Sequence, residues 1–296
     1  MTEIATKDTV FYAGPKLQMS GRMYLPDPAL NNGAGILFCQ GFGGLKEGVP
    51  VGLSTLLAQS GFTVLSFDYR GFGASEGSRD LLVPTEQADD IVHALEYLAQ
   101  QSGIDPERIG LYGTSFGGGV AALAARRSNR PKALVMSVPV TSGSEWLRSI
   151  TRWYEYEQLR TRATAAIAKK VLTGEIEIVD RFEIMVPDPV SATRFPGKVT
   201  LALETVYHVL NHEPVSIAHE LDVPILMFGV RDDSLVPFEQ TKMFFDRIKG
   251  ERQLEVIETG NHWAVYETAL PYVAEKTIAF FAHHLLSKSK PATRAA

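Results

Sequence analysis

Ile109-Gly-Leu-Tyr-Gly-Thr-Ser-Phe-Gly-Gly-Gly119 is the stretch on which the fold turns. Arg108–Tyr112 is a short apolar run that reads as a strand, and Phe116–Arg127 is a small-residue run that reads as a helix. Between them Gly113-Thr-Ser-Phe-Gly117 matches G-x-S-x-G in the context that defines a nucleophile elbow. The reason is steric. A serine on so sharp a strand-to-helix turn sits in a strained backbone, and flanking side chains larger than hydrogen would clash. The turn aims the Ser115 hydroxyl at the mouth of a cleft and points the N–H of Phe116 at the same space.

Outward from this turn, strands alternate with helices, the mark of a largely parallel sheet with crossover helices. Val10–Leu25 predicts one or two strands, as an antiparallel edge. Gly35–Gln40 is continuously apolar, as a strand buried on both faces must be. A helix at Val51–Ser60, a strand at Phe62–Asp68 and a helix carrying Ala88, Ile91, Leu95 and Leu98 at helical spacing lead up to the elbow. Ala133–Val138 follows as a strand. From about Ser144 to Ala218 the alternation stops, and the pattern is helical and irregular, rich in aromatics such as Trp146, Trp153 and Phe195. It resumes with Pro224–Gly229 as strand, Phe238–Ile248 as helix, Gln253–Ile257 as strand, and a last helix from Pro271. The interruption predicts an insertion over the C-terminal edge of the sheet, where ligands of open α/β sheets bind.

A serine hydroxyl needs a base, and the base needs a carboxylate to hold its tautomer. The fold imposes the chain order serine, acid, histidine. Of the seven histidines, His262 alone lies in a short loop between a strand and the final helix. His283 and His284 fall inside that helix. The acid belongs to the turn after Pro224–Gly229, where Asp232 and Asp233 are adjacent and only one can face His262; their spacing leaves both open. Acyl transfer also requires N–H donors for the developing oxyanion. Phe116 supplies one, and Phe42, in Gln40-Gly-Phe-Gly-Gly44, is the candidate for the second. That glycine-rich loop lacks the Gly-Lys-Ser/Thr of a phosphate-binding loop. Cys39 reads as core, and no His, Cys, Asp or Glu cluster has metal-ligand spacing, so neither metal nor cofactor is expected.

Composition narrows the partners. The net charge is −5 with no basic stripe, which argues against nucleic acid. No apolar run approaches the roughly 18 residues of a membrane span, and the first eight residues lack a secretory pattern. A single cysteine fits a reducing, cytoplasmic compartment. The polar tail from Ser287 to Ala296 predicts a frayed end. A small-molecule substrate is expected, and homo-oligomerisation is left open.

Asp68-Tyr-Arg-Gly-Phe-Gly-Ala-Ser-Glu-Gly77 is similar to the D-x-R-G-x-G-x-S segment of the α/β-hydrolase superfamily. Together with Gly110–Gly119 it resembles the branch of dienelactone hydrolases, acetyl-xylan esterases and X-prolyl dipeptidyl-peptidase-like esterases. The resemblance covers residues 33–143 and 222–286. It implies an α/β-hydrolase fold, a mostly parallel sheet flanked by helices; the interrupted pattern, which matches no cap of that branch, divides the chain into a core of 1–143 and 219–296 and a helical cap insertion at 144–218. The branch's acid loop, P-x-L-x-x-x-x-x-x-D-x-x-x-P, lies over Pro224–Pro237 without a gap and puts the aspartate on Asp233; the branch's histidine falls on His262. Gln40-Gly41 replaces the His-Gly of many members. The expected function is a Ser115–His262–Asp233 serine hydrolase working through an acyl-enzyme, most simply a carboxylic-ester or related acyl hydrolase. The same constellation also suits C–C bond hydrolysis of an activated ketone, and a silent ligand-binding protein on this fold is the reading from another class. Dehalogenase and epoxide-hydrolase chemistry is disfavoured because Ser115 stands where those members carry a carboxylate.

Overall fold

The protein, a computed structural model, is described for residues 4–195 and 197–287. The expectations for the extreme N-terminus and for the tail beyond Ser287 fall largely outside those residues. The chain opens with an antiparallel hairpin, β1 (Ala5–Tyr12) and β2 (Gln18–Leu25), of which β1 is the exposed edge. β3 (Gly35–Cys39) and β4 (Thr63–Phe67) are buried at every position and flank α1 (Pro50–Gln59). α2 (Pro84–Ala99) begins on a proline, whose missing N–H has no partner to lose in a first turn, and buries Ala88, Ile91, Leu95 and Leu98. β5 (Ile109–Thr114), α3 (Phe116–Arg127) and β6 (Pro131–Ser137) complete the first half.

The excursion follows as α4 (Gly143–Ile150), α5 (Trp153–Thr173), β7 (Ile178–Asp180), α6 (Arg181–Ile184), α7 (Pro189–Ala192), β8 (Thr200–Ala202), α8 (Thr205–Leu210) and a 3-10 turn at Pro214–Glu220. It is not wholly helical, as the sequence had suggested. β7 and β8 pair antiparallel in a sheet of their own, and at three residues each they are too short to show a period-2 pattern. β9 (Ile225–Val230), α9 (Phe238–Phe245), β10 (Arg252–Ile257), a 3-10 turn at His262–Tyr266 and α10 (Leu270–Phe281) return to the main body.

The main sheet runs β1-β2-β4-β3-β5-β6-β9-β10, parallel from β4 to β10. Alternation across it divides the core. Ile36 and Phe38 join α1 and α10 on one face, while Leu37 and Cys39 join α2 and α9 on the other. The same split holds for Val135 against Leu134 and Met136, and for Leu226 and Phe228 against Met227. Burial on both faces is why these strands read as unbroken apolar runs. The chain leaves β3 towards β4 and later returns to β5 on the other side. The strand order therefore reverses between β3 and β5, and a crevice opens at their C-terminal ends. Cys39 is paired in register with Gly113, so the Gln40–Gly44 loop and the elbow emerge side by side.

The D-x-R-G-x-G-x-S segment holds that loop in place. The Asp68 carboxylate is fully buried and accepts hydrogen bonds from the Lys46 amide (2.9 Å), the Lys46 ammonium (2.8 Å) and the Ala74 amide (3.1 Å). Gly73 sits at φ 52, and a Cβ there would lie 2.2 Å from Asp68 Oδ2, so only glycine lets the turn wrap the carboxylate. Arg70 reaches the buried Asp90 of α2 at 2.6 Å and ties the segment to the helix layer. Asp68→Ala leaves a buried ammonium without this partner and two amides without acceptors. The expected destabilisation is about 3 kcal/mol, read as a lower urea midpoint at unchanged slope.

Candidate active site

Ser115 occupies φ 53, ψ −130, a region that L-residues rarely enter, between the last residue of β5 and the first of α3. Its main chain is held on both sides. The Ser115 amide donates to Ser137 O at 2.9 Å, and Ser115 O accepts from the amides of Gly118 and Val140. The glycine at 117 is obligatory for a different reason from strain: a Cβ there would stand 2.1 Å from Gln40 O. A Cβ at Gly41 would reach 3.1 Å from Ser115 Cβ, so the loop after β3 passes directly against the serine. Among the described residues, no main-chain acceptor takes up the amides of Phe42 or Phe116. Among the described residues, the two N–H groups read from sequence as oxyanion donors are thus free of main-chain partners.

β9 and β10 pair in register up to Val230 and Ile257, so the turns beyond them leave the sheet together. The result is a hydrogen bond of 2.7 Å between His262 Nδ1 and Asp233 Oδ2, both side chains being almost wholly buried. The other oxygen, Oδ1, accepts from the Leu235 (2.9 Å) and Val236 (2.8 Å) amides, which fix the carboxylate. Asp232 is exposed. An ionised carboxylate only accepts, so a hydrogen bond to it is one that Nδ1–H donates, an arrangement that in a neutral imidazole leaves the lone pair on Nε2. Asn261 caps the 3-10 turn that carries His262 by accepting from the Trp263 amide.

Ser115, His262 and Phe42 line one cavity of about 520 Å³ at the switch between β3 and β5. Asp233 and the Phe116 ring are buried. The volume is that of a small or medium ligand. Its walls are mostly apolar and come from both the sheet edge and the excursion, which contributes Met185, Phe195 and Val199. Of the excursion's aromatics, Trp153, Tyr154 and Tyr207 are exposed instead.

Several supporting residues left no signal in the sequence. Trp146 of α4 packs edge-on to Phe42 (5.7 Å) and against Phe116 (5.9 Å), which also touch each other at 5.4 Å. Its indole N–H donates to Leu235 O at 2.7 Å, joining the excursion to the Asp233 turn. Thr114 and Tyr266 share a 2.6 Å hydrogen bond beside His262. His212 lies 4.7 Å from the Phe116 ring, and among the described residues neither of its buried nitrogens has a hydrogen-bond partner. A sequence pattern marks none of these, because each contact joins elements far apart in the chain.

Burial pushes the His212 pKa down to about 3. The unfolded chain therefore takes up a proton at this residue near pH 6.5 that the folded chain refuses. Its stabilising share is complete above that pH and is lost as the pH falls towards 3. Between pH 7 and pH 5 this residue accounts for about 2 kcal/mol of lost stability. His212→Leu, which leaves no polar atom to orphan, is expected to flatten the dependence of unfolding free energy on pH by that amount.

Cys39 is buried in the core, and burial pushes its thiol far up, away from thiolate reactivity. Glu251, His283 and His284 bring one potential ligand atom each within 4.8 Å, a cluster that sequence spacing missed because Glu251 is remote from the histidines. Glu251 precedes β10, at the sheet edge opposite Ser115, so the cluster lies apart from this cavity. Among the described residues no helix is long and apolar enough to cross a membrane.

Fold and cavity together define an α/β hydrolase. Residues 34–269 match the serine aminopeptidase S33 family, and the chain belongs to that family. It is 30% identical over 271 residues to thiohydrolase aneE of Aspergillus aculeatus, with 83% of each chain covered. It is 29% identical over 259 residues to a 31.7 kDa Escherichia coli protein of the traX-finO intergenic region, covering 84% of this chain and 91% of that one. Among solved structures, DcsB in complex with its substrate analogue superposes with a TM-score of 0.83 at 22% identity, over 95% of this chain and all of DcsB (100%). That likeness is one of fold.

Proposed function

We propose that the protein is a serine acyl hydrolase that cleaves small or medium carboxylic esters or thioesters. Ser115 is the nucleophile, His262 the base and Asp233 the acid that orients it. The observation that carries this reading is the buried 2.7 Å His262–Asp233 hydrogen bond on the same cavity as the strained serine. Thiohydrolase aneE supports the thioester arm by similarity.

In this reading the Ser115 hydroxyl attacks the substrate carbonyl as His262 Nε2 takes its proton. The imidazolium that results is stabilised by Asp233, and the oxyanion is held by the Phe42 and Phe116 amides, at about 3–4 kcal/mol for each donor. His262 then gives its proton to the departing alcohol or thiol as the tetrahedral intermediate collapses to an acyl-enzyme. Water, deprotonated by His262, attacks the acyl carbonyl; the carboxylic acid leaves and Ser115 regains its proton. The Phe42–Phe116–Trp146 cluster holds both donor residues, and the excursion acts as a cap that excludes bulk water from the cavity.

The test is fluorophosphonate labelling with peptide mapping, beside turnover of matched aryl esters, thioesters and β-diketones. Modification of Ser115 and cleavage of esters or thioesters are expected. Absence of both labelling and turnover overturns the reading, and cleavage of the diketone alone replaces it with C–C bond hydrolysis.

A further inference from the structure

Arg181 follows directly on β7, in the excursion, and lines the cavity although it is only 3% exposed. Its guanidinium stacks on the Phe195 ring at 4.4 Å and lies 5.3 Å from that of Phe182. Phe195 in turn packs edge-on to Trp263, the residue after His262. Among the described residues, Nε and Nη2 of Arg181 are buried with no hydrogen-bond partner. The other charged side chains of the cavity are matched. Arg194 pairs with Glu267 at 3.0 Å, Glu47 with Lys46 at 2.9 Å, and His262 with Asp233. Among the described residues of the cavity wall, Arg181 alone has a charge in no ion pair, although the carboxylate of the preceding Asp180 is near enough to favour that charge without pairing with it.

A buried guanidinium is costly unless something answers its charge, since arginine stays protonated in proteins. Stacking on aromatic rings recovers part of that cost and leaves the N–H donors unsatisfied. A structural role for the stack alone would be served by an uncharged side chain of the same length. From the open donors of Arg181 inside the Ser115 cavity we infer that the substrate carries a carboxylate away from the scissile bond, which Arg181 receives. The inference rests on the acyl-hydrolase reading for the scissile bond, but not for the anion itself. The carboxylate belongs either to the acyl part, as in a dicarboxylic half-ester, or to the leaving group; the chemistry at Arg181 is shared.

Two matched pairs separate these sources. Aryl pentanoate is compared with the aryl half-ester of glutarate, and phenyl butyrate with 4-carboxyphenyl butyrate. In the wild-type enzyme one anionic partner is expected to exceed its neutral match in kcat/KM by roughly 10- to 100-fold, mainly through KM. Arg181→Met is expected to bring that ratio near one, and Arg181→Lys, with a point charge for a planar fork, to leave an intermediate ratio. Should Arg181→Met fail to fold, the lysine variant decides alone. No preference for either anion in the wild type, or a preference that survives both substitutions, overturns the inference while leaving Ser115 chemistry intact. A second readout needs no turnover. Glutarate is expected to raise the melting temperature of the wild-type protein and of Ser115→Ala, but not of Arg181→Met. Stabilisation that depends on Arg181 in a protein without hydrolase activity upholds the anion site and overturns the acyl-hydrolase reading instead. Stabilisation that is the same in Arg181→Met overturns the anion site.

Discussion

Ser115→Ala is expected to lower kcat on any cleaved ester or thioester by roughly 10⁴- to 10⁶-fold, with KM changed little. The alanine keeps the backbone of the elbow, because Ser115 holds its place through main-chain hydrogen bonds to Ser137, Gly118 and Val140. Circular dichroism and melting temperature are therefore expected to match the wild type, so that lost turnover reports chemistry. What survives is the contribution of the oxyanion donors and of substrate positioning, which no longer have a nucleophile to serve. Activity within tenfold of the wild type would remove Ser115 from the mechanism.

The second large effect concerns the acid, and it discriminates between neighbours. Asp233→Asn preserves shape, and its carbonyl can still accept from the Leu235 and Val236 amides that hold Oδ1. The amide group then faces His262 Nδ1 and can only donate to it. The imidazole is driven to carry its proton on Nε2, the nitrogen needed as a base, and its cationic form loses a counter-charge. A fall in kcat of about 10⁴-fold follows. Asp232→Asn, at an exposed position, is expected to stay within about twofold of wild type. Kinetics on the two variants, with one substrate at one pH, check both statements. Equal effects would mean that the 2.7 Å contact has no part in turnover.

Neither experiment depends on the part of the cavity wall that the excursion supplies, whereas the Arg181 comparison does. A triad can accept many acyl groups; the walls choose among them. Here part of those walls comes from the excursion, whose lining residues Arg181, Met185, Arg194, Phe195 and Val199 stand in or beside short irregular elements. Length and periodicity say little about such elements, and the two three-residue strands that frame them escaped notice for the same reason.

The sequence by itself determined the main sheet and the order of the candidate site. Strands buried on both faces must be apolar throughout, amphipathic helices must repeat at 3.6 residues, and a serine in a strained turn must be flanked by glycines. Each of these constraints acts within ten or so residues and is written locally. Overlaying Pro224–Pro237 on the branch's acid loop singled out Asp233, and that is the aspartate whose carboxylate reaches His262 in the structure. Only the tertiary structure decided what stands around these residues: Trp146 packed on Phe42 and Phe116, His212 against the elbow, Lys46 bound to Asp68, and, among the described residues, Arg181 with Nε and Nη2 unpaired. Such contacts join positions distant in the chain, and whether a charge is paired or orphaned depends on what burial brings next to it, which no local pattern of residues encodes.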